Sequence, residues 1–269
     1  MKKSILLLSA LFVGIIAFNA CDKSDDNDVN NADISTAETL ATNEDFSEEI
    51  DLVADIAIEE RGGGSTCPTV TLAQPWGTWP NTITIDYGAD GCAGPNGQHI
   101  LKGKIIITQT GDRFTAGAER TKTFENFFVD DVQVEGTKSW KNNGTDAAGA
   151  WSYTKNANMK LTYDDGTSTT WTHTHTSTLI EGASTPTHWD NVWSTTGNSS
   201  GTSRNGVTYT STIVEPLIKK ATCRWISEGK IEFTRDGNVS SLDFGDGTCD
   251  RFGTLTTANG DTFSIRLRR

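Results

Sequence analysis

The chain contains no Cys-x-x-Cys pair, has only four histidines, and carries no stretch that reads as a basic footprint. The first absence argues against a zinc site built from closely paired thiolates. The thin basic content, 23 lysines and arginines against 35 acids, excludes the electropositive surface that nucleic acid requires. The longest apolar run, Ile5 to Phe18, falls short of the ~20 residues that a spanning helix needs. Helical periodicity is missing beyond Arg61, so a helical body is excluded as well.

What is present begins with the leader. Met1-Lys2-Lys3 supplies a short positive start, the apolar run follows, and Asn19-Ala20-Cys21 closes it. That is the layout of a secretory signal over residues 1–20. The cysteine at the junction makes it look like a bacterial lipoprotein signal, cut so that Cys21 becomes the lipidated N-terminus and the contact with the membrane. Fourteen acids stand against the single base Lys23 between Cys21 and Glu60, whereas the stretch after Arg61 is nearly neutral. Residues 21–44, with isolated hydrophobes only, are expected to form a disordered acidic tether extended by self-repulsion. Over residues 45–61, Phe46, Ile50, Val53 and Ala57 recur at helical spacing. Ser47 followed by Glu48 and Glu49 suits a helix start, and Gly62-Gly63-Gly64 suits its end. One short amphipathic helix is predicted there.

Residues 62–269 change character. Thr, Val, Ile, Phe, Tyr and Trp alternate with polar residues between turns rich in Gly, Asn and Asp, as in Ile83 to Tyr87, Thr169 to Ile180 and Val207 to Val214. Period-2 segments of this kind predict an all-β domain of ten or more antiparallel strands, a β-sandwich or a curled multi-strand meander. Four cysteines, Cys67, Cys92, Cys223 and Cys249, fit two disulfides in an exported chain. Ile85 to Cys92 is echoed by Leu242 to Cys249, each behind a cysteine at a similar distance. Among the three possible pairings the echo favours Cys67 with Cys92 and Cys223 with Cys249.

The combination of Cys67-Pro68-Thr69-Val70, Ile83 to Cys92, Gly103-Lys104-Ile105-Ile106 and Phe244 to Asp250 resembles a group of Bacteroidota surface lipoproteins without assigned activity. Lys23, Asp25 and Asp26 behind the lipidation cysteine fit the same group. The resemblance implies an outer-membrane, surface-exposed location and a β fold. It supplies no catalytic residue.

Four constellations bear on chemistry. His173 and His175 lie two apart on an expected strand, with Trp171, so all three share a face. Two imidazoles so placed can hold zinc if a third ligand arrives from a neighbouring strand, and an exposed polar sheet face is the plainer reading. Gly197 to Gly201 spells Gly-x-Ser-x-Gly, but strand-like flanks replace the strand-to-helix turn that a nucleophilic serine needs. Asp243 to Asp250 departs from the calcium-loop spacing and reads as turns. Eight tryptophans complete the set: more than half are expected in the core, with Trp76 and Trp79 the most exposed. Trp76, Trp79 and Trp171 are candidate ligand-stacking residues. The expectation is a non-catalytic binding or interaction module without cofactor, its partner a glycan or an envelope protein. A glycan-binding accessory role is the alternative, and a metal-dependent or glycoside hydrolase the rival.

Overall fold

The structure, a computed structural model, describes residues 23–267 apart from 62–65, 95, 96, 98, 148, 186 and 188. The leader, Cys21 and the triple glycine lie outside the described residues. One helix, α1 (Lys23–Glu59), is followed by β1 (Thr69–Leu72), β2 (Asn81–Asp86), β3 (Cys92–Ala93), β4 (Ile100–Gln109), β5 (Glu119–Val129), β6 (Val132–Thr145) and β7 (Trp151–Thr162). Then come β8 (Ser168–Glu181), β9 (Val192–Thr202), β10 (Thr208–Lys220), β11 (Glu228–Arg235), β12 (Asn238–Asp246), β13 (Phe252–Thr256) and β14 (Thr262–Arg266). All fourteen strands belong to one sheet in chain order, with the two-residue β3 set aside onto β4. Every pairing is antiparallel. The fold is the all-β antiparallel meander that the alternation predicts.

The sheet has a helix for its core. From Thr39 to Ser47 every residue of α1 is buried except half-buried Thr42. More than two helical turns without a solvent face require surroundings on all sides, so the sheet curls around α1. The first half of the helix packs Ala37, Leu40 and Ala41 against Tyr209, Phe233 and Leu255 of the later strands. The second half packs Phe46, Ile50 and Val53 against Ile83, Ile105 and Phe127 of the earlier ones. Burying side chains of the size of Phe46 or Ile50 stabilises by about 1.5–3 kcal/mol each.

The tether expected over residues 21–44 is a correction. From Lys23 onward that stretch is the first half of the same helix. Its buried Asp33 is satisfied from strands far along the chain. The carboxylate of Asp33 accepts hydrogen bonds from Arg235 Nε at 2.9 Å and from Ser240 Oγ at 2.8 Å. A carboxylate with such partners gains more inside than in water, and no local composition rule sees partners two hundred residues away. The helix expected over residues 45–61 is therefore the C-terminal part of a much longer one.

Cys67 is bonded to Cys92 and Cys223 to Cys249, the sequential pairing that the echo favours. Loops of 25 and 26 residues are closed, each worth about 3 kcal/mol through the unfolded chain. Near them His99 joins early and late strands. Its Nδ1 lies 2.5 Å from Asp130, and its Nε2 faces both Arg224 and Glu49, the latter at 3.3 Å.

Candidate functional site

Strand register sets two neighbouring rows of side chains against the helix. One row runs through Lys122, Lys138, Ala157, His173, Ser199 and Ser211. The other runs through Gln109, Arg120, Trp140, Lys155, His175 and Gly197. Facing them, α1 presents Glu44, Glu48, Asp51 and Asp55. Their spacing of four, three and four residues keeps all four on one helical stripe. The acidic stripe thus meets a basic sheet face inside the protein.

At the C-terminal end of this stripe the charges are matched. Asp51 pairs with Lys122, with Lys138 at 2.7 Å and with Lys155 at 3.5 Å. Glu48 pairs with Lys155 at 3.1 Å, and Asp55 with Arg120 at 2.5 Å and Arg113 at 3.8 Å. Burial pushes the Asp51 carboxyl upward, but Lys122, Lys138 and Lys155 outweigh it and hold it well below the usual carboxylate range. Glu48 and Asp55 are lowered in the same way, against burial, by Lys155 and by Arg120 respectively.

At Glu44 the matching stops. The His173 and His175 rings stack with centroids 4.0 Å apart, and Glu44 Oε2 lies 3.7 Å from His175 Nδ1. Neither ring nitrogen of His173 has a hydrogen-bond partner, although the side chain is buried. Burial, with Glu48 adding to it, pushes the Glu44 carboxyl up to about 8. Burial likewise pulls His175 down to about 4 and His173 well below the ordinary imidazole value. One donor atom from each of the three lies within 4.8 Å of the others, the arrangement among the described residues that suits a metal ion. Gly197 belongs to this spot. Its φ of +139° favours glycine, and a Cβ there would lie 2.3 Å from Thr174 O and 2.8 Å from His175 Cδ2. Close approach of β9 to the histidine strand therefore explains the first glycine of Gly-x-Ser-x-Gly. Ser199 points inward and shares a 2.6 Å hydrogen bond with Ser211.

Beyond Asp51 the stripe borders a cleft. An inner chamber of about 90 Å³ lies between Asp51, Asp55, Lys155, Trp140, Tyr153 and Trp193. An outer chamber of about 180 Å³ shares Asp55, Arg113 and Asn191 with it and reaches Trp76, Trp79 and Phe114. Both are smaller than the roughly 300–1,000 Å³ of a drug-sized site and suit one small polar group each. Trp140 meets Tyr153 edge to face at 5.2 Å, and Tyr153 meets Trp193 at 5.6 Å. Trp76 packs edge-on against Trp79 at 5.8 Å, under the Arg61 guanidinium 3.4 Å from its ring centre. Such T-shaped pairs hold each ring at a fixed angle.

The sequence-derived candidates separate accordingly. Trp76 and Trp79 stand at the cleft, Trp76 being 45 % exposed. Trp171 does not join them: it is 2 % exposed within the early-strand core, so it offers no platform to a ligand from solvent. The expectation that most tryptophans are core is also overturned, since Trp171 alone of the eight is buried. The helix occupies the space that a sandwich would fill with indoles; Trp140 and Trp193 line the inner chamber, Trp225 packs at the edge of the later-strand core, and Trp76 and Trp189 are exposed. His173 and His175 face the interior, and the alternating Thr172, Thr174 and Thr176 face out. Asp243, Asp246 and Asp250 each accept a hydrogen bond from the backbone amide two residues on, as the turn reading expects. Sequence reasoning missed Glu44, Lys155, Tyr153 and Trp193. The signals were there: acids on one helical stripe, and lysines at inward positions of alternating strands.

No protein-family model, curated protein or solved structure matches this chain.

Proposed function

We propose that this is a lipid-anchored cell-envelope protein that binds a small polar ligand in the cleft beside the C-terminal half of α1, without transforming it. The observation that carries the reading is the cleft itself, with edge-locked aromatic rings around polar groups already neutralised in pairs. The end of a glycan chain suits that lining best. A pyranose ring lays its apolar face on an indole while its hydroxyls reach carboxylate, ammonium and guanidinium groups.

Binding without hydrolysis follows from the charges. A glycosidase needs one carboxyl that keeps its proton to act as acid, and a second that is ionised. Glu48, Asp51 and Asp55 border the inner chamber, and basic neighbours hold all three ionised at neutral pH. Glu44, which does keep a proton, faces the histidines. The anchor would be a lipid on Cys21 in the outer membrane. An envelope protein is the competing partner for the same cleft.

Two measurements test this. Calorimetric titration with a panel of soluble polysaccharides is expected to find one binder, and Trp193→Ala to weaken it at least tenfold while shifting thermal stability little. No binding across a broad panel, or undiminished binding by the variant, sinks the glycan reading. Mass spectrometry of membrane fractions is expected to find a chain starting at acylated Cys21, and Cys21→Ser to release the protein to the soluble fraction. An uncleaved, unmodified chain refutes the anchor.

A further inference from the structure

The geometry points to a buried divalent-metal site, of the zinc class, formed by Glu44 of α1 with His173 and His175 of β8. It stands apart from the cleft and does not depend on what the cleft binds.

Three observations combine. First, the donor atoms are gathered: one atom each from Glu44, His173 and His175 fits within a 4.8 Å span, and the Glu44–His175 pair is already at 3.7 Å. Zinc bonds of 2.0–2.2 Å in tetrahedral geometry place neighbouring ligands roughly 3.3 Å apart, so modest side-chain rotation closes the set. Second, both nitrogens of His173 lack a hydrogen-bond partner at 5 % exposure. A buried polar group left unsatisfied costs about 1–3 kcal/mol, and native interiors rarely tolerate that without a ligand, ion or water. Third, the chemistry is of one kind. Two imidazoles and a carboxylate form a borderline nitrogen–oxygen set that suits zinc, and it lacks the many oxygens that calcium or magnesium prefer.

The surroundings permit a cation. Charged groups acting on Glu44 are Glu48 and Asp45 from its own helix and Lys138 and Lys155 from β6 and β7. Lys138 and Lys155 also act on both histidines, but each is paired with Asp51, and Lys155 with Glu48 as well, and the Glu44 carboxylate adds a negative charge once a metal displaces its proton. Histidines two apart on one strand share a face, and the close-packed Gly197 backbone on β9 supports His175 from the side. All three ligands are buried, so the ion would enter as α1 and β8 come together and would hold the helix to the sheet. Three protein ligands leave a fourth position for a water, and burial of all three couples binding to folding.

The test uses the full mature chain with disulfides intact. Protein unfolded in guanidinium with a chelator is refolded with and without zinc, passed through a desalting column, and assayed for metal content and thermal midpoint. One zinc per chain is expected after desalting, with a midpoint rise of roughly 5 °C or more when free zinc is restored to a hundredfold above its dissociation constant for the melt. Glu44→Gln and the double variant His173→Asn, His175→Asn are expected to fold without zinc and to lose both the retained ion and the rise. Refolded wild type that retains less than a tenth of an equivalent overturns the proposal. So does equal retention by wild type and both variants, which marks adventitious surface binding only.

Discussion

Asp51 and Glu44 sit seven residues apart on one helical stripe, Glu44 buried and Asp51 half-buried, and their fates differ. Asp51 is ringed by Lys122, Lys138 and Lys155 and stays ionised. Glu44 meets two imidazoles that burial keeps neutral, and it keeps its proton. Desolvation opposes charge in both places. What differs is whether the chain supplies the counter-charge. The Asp51 half explains how the protein holds together, and the Glu44 half leaves a demand that the chain itself does not meet.

The sharpest break of that comparison is Asp51→Ala. It leaves the buried Lys122 and Lys138 ammoniums without their shared carboxylate, and urea unfolding at pH 7 is expected to show a loss of about 3–5 kcal/mol. A loss below 1 kcal/mol would mean that the interior lysines relax into water.

A smaller effect separates the two halves by pH in metal-free protein. Glu44 titrates near 8 when folded, above its ordinary 4.5. Its contribution is therefore full below about 4.5 and lost as pH rises to 8. His175 is lowered from 6.5 to about 4, so its contribution is present above 6.5 and lost as pH falls to 4. Between pH 6.5 and 8 only the Glu44 part changes among these two groups. Wild type is expected to lose about 2 kcal/mol across that window relative to Glu44→Gln, read from paired urea curves. Parallel curves would show that Glu44 is ionised throughout.

The meander was legible because its cause is local. Alternation in Ile83 to Tyr87 or Thr169 to Ile180 reports which side of a strand faces the interior, and turn residues report where it ends. The first half of the internal helix was not legible, because its cause is distant, whereas the part from residue 45 onward showed its own periodicity. Asp33 reads as solvated until Arg235 and Ser240 arrive from β11 and β12. Ala37, Leu40 and Ala41 likewise look isolated until Tyr209 and Leu255 close over them. For the candidate sites the same division holds. The His173–His175 pair and the Trp76–Trp79 pair were visible as spacings. Glu44 and Trp193 acquire a role only when helix and sheet are assembled, and Trp171 could not be told from an exposed neighbour by alternation alone.

The order of synthesis gives the long-range bonds of α1 a further meaning. The helix is synthesised before every strand of the sheet, yet Asp33 and Asn30 find partners 202 and 231 residues later, in Arg235 and Asp261. Until the final hairpins emerge, the axle of the molecule has no wheel around it. The helix therefore stays bare through most of synthesis, and the last strands to appear complete its enclosure.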